Sequence, residues 1–442
     1  MDQPRESKNG GEQTMSKSVN RLFNTTLAGA AGAVLAFASA FAIADQEFND
    51  WGWPQPYEQI SEESIDWLKD RGWWPISMAY QAPWSGANTL NVVMVHGGLL
   101  EARGIEANLT SFGTGPEINE VIASGRAQVG IGGNFPFTSL VERGVPIQTI
   151  GVLTPNLLHA TIVPNDSEIE SFEDFANRDR PAVVGLATGS SAEFYFVQAA
   201  AVHGVEIGKD VQLRNMSLPE QMTMPRGLDA VVPWDAAATI ISEFHERGRV
   251  VDTIYSYNFY QGNQYVRQEL IDNVPDVVQA ITDAFIEASL WIRLNPDQAV
   301  DLLAKQPELE TWDRELLAQQ TAMHNNLYKP TAAYPFAEFW SKENERISKW
   351  LYEGGRLNSM VTAADYEAAF DASFMEETFN KLGWKVPDQP PFLPAGWDHE
   401  IGDLPYPEYD SSATLTDPQP WPEPQDLVAP WEFDGTRYTP ED

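Results

Sequence analysis

A chain of 442 residues with 43% hydrophobic and 11% aromatic content has enough apolar material for two cored lobes or one large domain. Its formal charge of -36 excludes nucleic acid and anionic membrane surfaces as natural partners, and no single acidic run stands out as a site. With no cysteine at all, disulfides, thiolate metal sites, cysteine nucleophiles and a lipidated N-terminal cysteine are excluded as well.

Lys17 and Arg21 precede an apolar run over 27–40, and Ala42-Ile43-Ala44 fits a small-x-small cleavage site with Asp45 as the first mature residue. Residues 1–44 are therefore expected to be a signal peptide of the general secretory route, giving a periplasmic protein; Met15 is a second candidate start. Residues 45–73 form an acidic, aromatic extension with Trp51, Trp53, Tyr57 and Trp67, and one helix is expected over 61–70 behind Ser61 as N-cap. A first strand follows over 74–81. Residues 82–88 break it, and 89–103 reads as a helix with Leu90, Val93, Met94 and Leu99 at helical spacing, stopped by Gly104.

Strands and helices then alternate: strands over 106–112, 129–131 and 147–153, helices over 115–123 and 136–142. Pro164-Asn165-Asp166-Ser167 is a turn cluster and marks a lobe boundary. A second series runs through strands over 183–187, 211–215, 228–232 and 250–255, with helices over 192–203 and 220–225. Residues 254–265 are a return segment rich in Tyr, Asn and Gly. Helices dominate from 268 to 382. The stretch from 387 onward holds 12 of the 31 prolines and cannot be helical, and aromatic residues such as Trp397, Tyr406, Trp421, Trp431 and Phe433 favour a strap laid over the fold.

Three strand ends bear on function. Val129-Gly130-Ile131-Gly132-Gly133-Asn134-Phe135-Pro136 runs from a strand through a glycine loop toward a helix start, where free backbone N–H groups suit an oxyanion. Val183-Val184-Gly185-Leu186-Ala187-Thr188-Gly189-Ser190-Ser191 repeats that form, and Gly227-Leu228-Asp229-Ala230-Val231-Val232-Pro233-Trp234-Asp235 is similar.

The order of these elements resembles a type II periplasmic binding protein, and within that class the nitrate/sulfonate/taurine branch that serves ABC importers. The resemblance rests on Gly97 to Glu106, similar to that branch's helix ending in Gly-Ile-Glu; on the stretch 123–132, where Gln128 stands in a position usually held by or next to Asp; on Ser171-Phe172-Glu173-Asp174-Phe175; and on Gly227-Leu228-Asp229-Ala230 with Pro233-Trp234-Asp235. It covers roughly 74–384. It implies an α/β, two-lobed fold with parallel-type sheets, a hinge and a helical return. The bounds expected are 74–164 for lobe one, 165–255 for lobe two, 256–385 for the return and 386–442 for the tail. It further implies a monomer without cofactor or metal that closes on a small organic anion, hinging near Pro164 and 255–257, and is recognised by a membrane permease.

In such a fold the ligand lies between the lobes at strand ends. The candidates are Gln81, Trp84, Ser85, Thr114, Asn134 and Phe135 from lobe one, with Thr188, Ser190, Ser191, Trp234 and Asp235 from lobe two. Ser190 and Ser191 serve equally as helix caps, Trp84 and Trp234 as core aromatics, and Asp235 as a cap. No cation other than Arg126 falls in these loops, so an anion is expected to be held by N–H groups and hydroxyls. The two tryptophans leave open a quaternary ammonium box or a slot for an aromatic acid. Enzymes share the fold, and a decarboxylase acting on a small acid is the alternative. The related desulfinases and pyrimidine-synthesising proteins depend on cysteine, which this chain lacks, and the six histidines show no paired metal spacing.

Overall fold

The computed structural model describes residues 53, 55–81, 85–154, 157–325, 333–382, 386, 390, 399–406, 431–433 and 436–438, all within one compact unit, Glu47–Asp442. The expected signal peptide and Trp84 lie outside the described residues. Ten strands make two sheets: β1 (Ile76–Gln81), β2 (Ala107–Phe112), β3 (Val129–Gly133), β4 (Ile147–Leu153), β5 (Ala160–Pro164), β6 (Ala182–Leu186), β7 (Val211–Asn215), β8 (Ala230–Val231), β9 (Gly248–Thr253) and β10 (Gly262–Arg267).

The first sheet has the order β2-β1-β3-β10-β4 and the second β7-β6-β8-β5-β9. Within the first, β1 runs parallel to β2 and β3, while β10 lies antiparallel between β3 and β4. Within the second, β6 is parallel to β7 and β8, and β5 is antiparallel to β8 and β9. The two-lobed α/β architecture is the expected one, but each sheet is mixed. The reason is the connectivity: the chain enters lobe two through β5 and returns through β10, and each crossing inserts a reversed strand. Ala160 pairs with Thr253, so β5 belongs to the second sheet. The first crossing is accordingly 154–159, upstream of Pro164, and the second is 254–261. The bound of 74–164 places β5 on the wrong side of that crossing.

Strand β10 was not legible as a strand. Its sequence, Gly-Asn-Gln-Tyr-Val-Arg, reads as polar loop, yet all six residues are buried because both edges are paired. The expected helix over 89–103 also differs. It stops at His96, since Gly98 takes a left-handed conformation (φ 80°), and a short 3-10 turn Glu101–Arg103 follows before Gly104 (φ 78°) closes it. Ser61 caps the helix Glu62–Asp70 by accepting from the Ser64 N–H, as its sequence predicts.

Each sheet has its own core. Met78, Tyr80, Val129 and Ile131 pack against Val277, Ile281 and Phe285 of the helix Pro275–Leu294. Val184, Leu186 and Ile162 pack against Tyr195, Phe196 and Ala199 of the helix Ser191–Val202. Full burial of one such side chain is worth about 1.5–3 kcal/mol. A smaller cluster joins the lobes: Phe135 from lobe one and Phe194 from lobe two meet Ile347 and Leu351 of the helix Ala337–Glu353. From the tail, Tyr406 is buried against Phe259 and Phe339, and its N–H donates to the Ser256 carbonyl at 2.8 Å. That segment is a strap over the second crossing.

Candidate functional site

Strand β3 runs directly into the helix Asn134–Glu142, without the glycine loop expected between them. Gly133 is the N-cap in extended conformation and makes no side-chain cap, so the first N–H groups of that helix have no side-chain cap. In lobe two the helix Ser191–Val202 begins behind Ser190, again without a side-chain cap bond. The Ser190 hydroxyl instead donates to the Ala187 carbonyl at 2.6 Å. Two helix N-termini, one from each lobe, thus line a single cleft of about 450 Å³.

Of the sequence candidates, Gln81, Asn134, Phe135, Ser190, Ser191 and Trp234 line this cleft. Ser85 lines a smaller adjoining space that shares Gln81, Gly133, Leu157, Trp234 and Tyr260 with it. Thr114 and Thr188 do not reach it. Thr114 belongs to a capping box with Glu117, and Thr188 is an exposed residue whose N–H donates to Asn215 Oδ1 at 3.0 Å.

Asp235 is not at the cleft surface. Its side chain is buried, with Oδ1 accepting from the Thr239 N–H at 3.0 Å and hydroxyl at 2.8 Å, and burial raises its pKa to about 6. Its Oδ2 has no hydrogen-bond partner among the described residues, but unlike Asn134 the residue does not line the cleft. Gln128 is likewise structural: its Oε1 accepts from the Ser77 N–H at 2.8 Å and its Nε2 donates to the Gly125 carbonyl.

Asn134 is fully buried, and neither its Oδ1 nor its Nδ2 has a hydrogen-bond partner among the described residues. An amide left unpaired in a protein interior costs about 1–3 kcal/mol, which contact with a ligand in the cleft would offset. His159 supplies a second buried polar group. Its Nδ1 lies 3.1 Å from the Leu157 carbonyl, which can only accept, so Nδ1 carries the proton. Nε2 then accepts from the Ser191 hydroxyl at 2.7 Å. Burial lowers the His159 pKa to about 4, which leaves the imidazole neutral and a weak base.

Four lining groups were missed by sequence reasoning: His159, Tyr260, Arg143 and Arg356. Arg356 Nη2 pairs with Glu193 Oε1 at 2.9 Å across the lobes, and its guanidinium stacks 4.6 Å from the Trp350 ring centre. Arg143 pairs with Glu120 at 3.1 Å. The cleft is therefore not free of cations, as the loops alone suggested; both arginines sit one helix or more away in sequence from the strand ends. Arg126, the only cation expected near the site, does not line it and bonds to Ser124. Among the described residues no group of three or more His, Asp or Glu is placed to hold a metal ion.

The fold so built is that of the two-lobed periplasmic binding proteins. Residues 92–299 match the model of the family described as NMT1/THI5 like. The periplasmic aliphatic sulphonate binding protein SsuA of Escherichia coli is 18% identical, with a TM-score of 0.57 over 66% of this chain and 96% of its own. SsuA of Xanthomonas axonopodis pv. citri, an alkanesulfonate-binding protein bound to MOPS, is 17% identical with a TM-score of 0.55 over 67% and 97%. The nitrate-binding protein NrtA of Synechocystis PCC 6803 is 12% identical with a TM-score of 0.57 over 71% and 91%. The two-lobed fold implied by the resemblance is borne out, and the chain is similar in fold to sulfonate- and nitrate-binding proteins. No curated protein matches the chain in sequence. Among the described residues no helix is long and apolar enough to cross a membrane.

Proposed function

We propose that the protein is an exported solute-binding protein that captures a small organic anion between its lobes and hands it to an ABC permease. The observation that carries this reading is the pair of uncapped helix N-termini, one per lobe, converging on one cleft. Each presents free N–H groups and the positive end of a helix dipole to the same volume. The unpartnered Asn134 amide and the rim arginines add donors. SsuA and NrtA, which share the fold, are named as binding proteins for sulfonates and nitrate.

The Ser191–His159 pair is the one arrangement that favours catalysis, since a hydroxyl donates to an imidazole. An imidazole whose pKa burial lowers to about 4 is too weak a base to activate a serine near neutral pH, which supports capture without chemistry. Isothermal titration against nitrate, alkanesulfonates, taurine and carboxylates should give saturable binding of an anion with the ligand recovered intact. Turnover of any of them, or heat from none, would sink the reading.

A further inference from the structure

The cleft is large and has an aromatic wall, and both features bear on which anion it takes. A volume of about 450 Å³ falls in the range of sites that hold drug-sized molecules. Nitrate occupies about as much space as two or three waters, at about 30 Å³ each. The wall is built from three rings. His159 lies 6.2 Å from Trp234 and 5.5 Å from Tyr260, centre to centre. Trp234 and Tyr260 are only half-buried, which leaves ring surface turned to the cleft they line. Leu157, Leu351 and Leu357 complete an apolar surround.

Rings in a binding cleft serve either a cation or another ring, and the charges decide between them. A quaternary ammonium needs negative surroundings. Glu120 is the one carboxylate lining this cleft among the described residues, and it is tied to Arg143. Arg143 and Arg356 are each ion-paired, to Glu120 and Glu193, so the side-chain charges nearly cancel and the two helix N-termini leave a positive field that disfavours a cation. Tyr260 adds a further donor beside the acid end. A Cβ placed on Gly133 would lie 2.1 Å from the Tyr260 hydroxyl, so that hydroxyl sits at the start of the helix Asn134–Glu142. Burial raises its pKa, keeping it a neutral donor.

Resting on the anion-capture reading, we infer that the ligand is a one-ring aromatic carboxylate or sulfonate. Its ring packs on the Trp234–Tyr260 wall, and its acid group takes the N–H groups at Asn134 and Ser191 with the Asn134 amide. The smaller space by Ser85 accepts a ring substituent.

Titration of the full chain with benzoate, benzenesulfonate, ethanesulfonate, taurine, nitrate and choline tests this. At least tenfold tighter binding of an aromatic acid than of ethanesulfonate, taurine or nitrate is expected, with no binding of choline. Trp234→Leu should cost the aromatic acid tenfold or more and leave any residual ethanesulfonate binding within twofold; Tyr260→Leu serves if that variant fails to fold. Equal or tighter binding of ethanesulfonate, taurine or nitrate overturns the aromatic class and leaves anion capture standing. Binding of choline, or of nothing, overturns both.

Discussion

His159 meets Ser191 from a fully buried position, and its protonation state sets which way that hydroxyl points. With a native pKa near 4 against an ordinary value of 6.5, the folded state refuses a proton that the unfolded chain accepts between those limits. Stability from this group is therefore complete above about pH 6.5 and lost as pH falls toward 4, at up to about 1.4 kcal/mol per pH unit. Proton-detected titration should find the His159 ring neutral at pH 5, and His159→Gln should flatten the acid limb of a denaturation series by that slope. Asp235 works in the opposite sense. Its pKa is raised from 3.8 to about 6, so its contribution is full below 3.8 and lost as pH rises through 6. Replacing Asp235 by Ala removes two hydrogen bonds from Thr239 and should cost about 1 kcal/mol in chemical denaturation near pH 4 while leaving ligand affinity within twofold. A large affinity loss with unchanged stability would return Asp235 to the site.

At the scale of elements, strand β3 shows how glycine spacing is set by neighbours rather than by turns. A Cβ on Gly130 would meet the Tyr265 ring at 2.2 Å, and one on Gly133 the Tyr260 hydroxyl at 2.1 Å. Gly130→Ala therefore overpacks a core and should destabilise by about 1–3 kcal/mol. Gly133→Ala displaces Tyr260 from the cleft, and calorimetry should show ligand affinity falling at least tenfold with a smaller loss of stability. The sequence marked this segment as strand, stop and helix start, because those signals are local. It did not reveal that Gly132 and Gly133 are strand residues, since that depends on pairing with Asn263 and Gly262 of β10. The same pairing hid β10 itself: buried Asn263 and Gln264 read as loop until both edges are known to be covered.

Across the whole molecule, side chains tie the lobes at several places besides the crossings, Leu316 with Ala236 and Ile240 among them. Phe135 and Phe194 share the helix Ala337–Glu353, and Arg356 reaches Glu193 at the cleft mouth. The strap adds Tyr406, whose hydroxyl bonds the buried Glu343 and accepts from Arg346 at 2.8 Å. Tyr406→Ala should lower stability by about 3 kcal/mol in thermal or urea unfolding, since it opens a cavity and takes a partner from a buried carboxylate. A change under 1 kcal/mol would show the strap to be an ornament of the surface. The sequence by itself determined the alternation of strands and helices, the two-lobed class and the strand ends that face the cleft, because hydrophobic period, caps and glycine stops act over a few residues. Only the tertiary structure decided which strands reverse, that Asp235 is buried, and that His159, Tyr260 and Arg356 join the site. Those outcomes depend on contacts between residues tens to hundreds of positions apart, and no local pattern carries them.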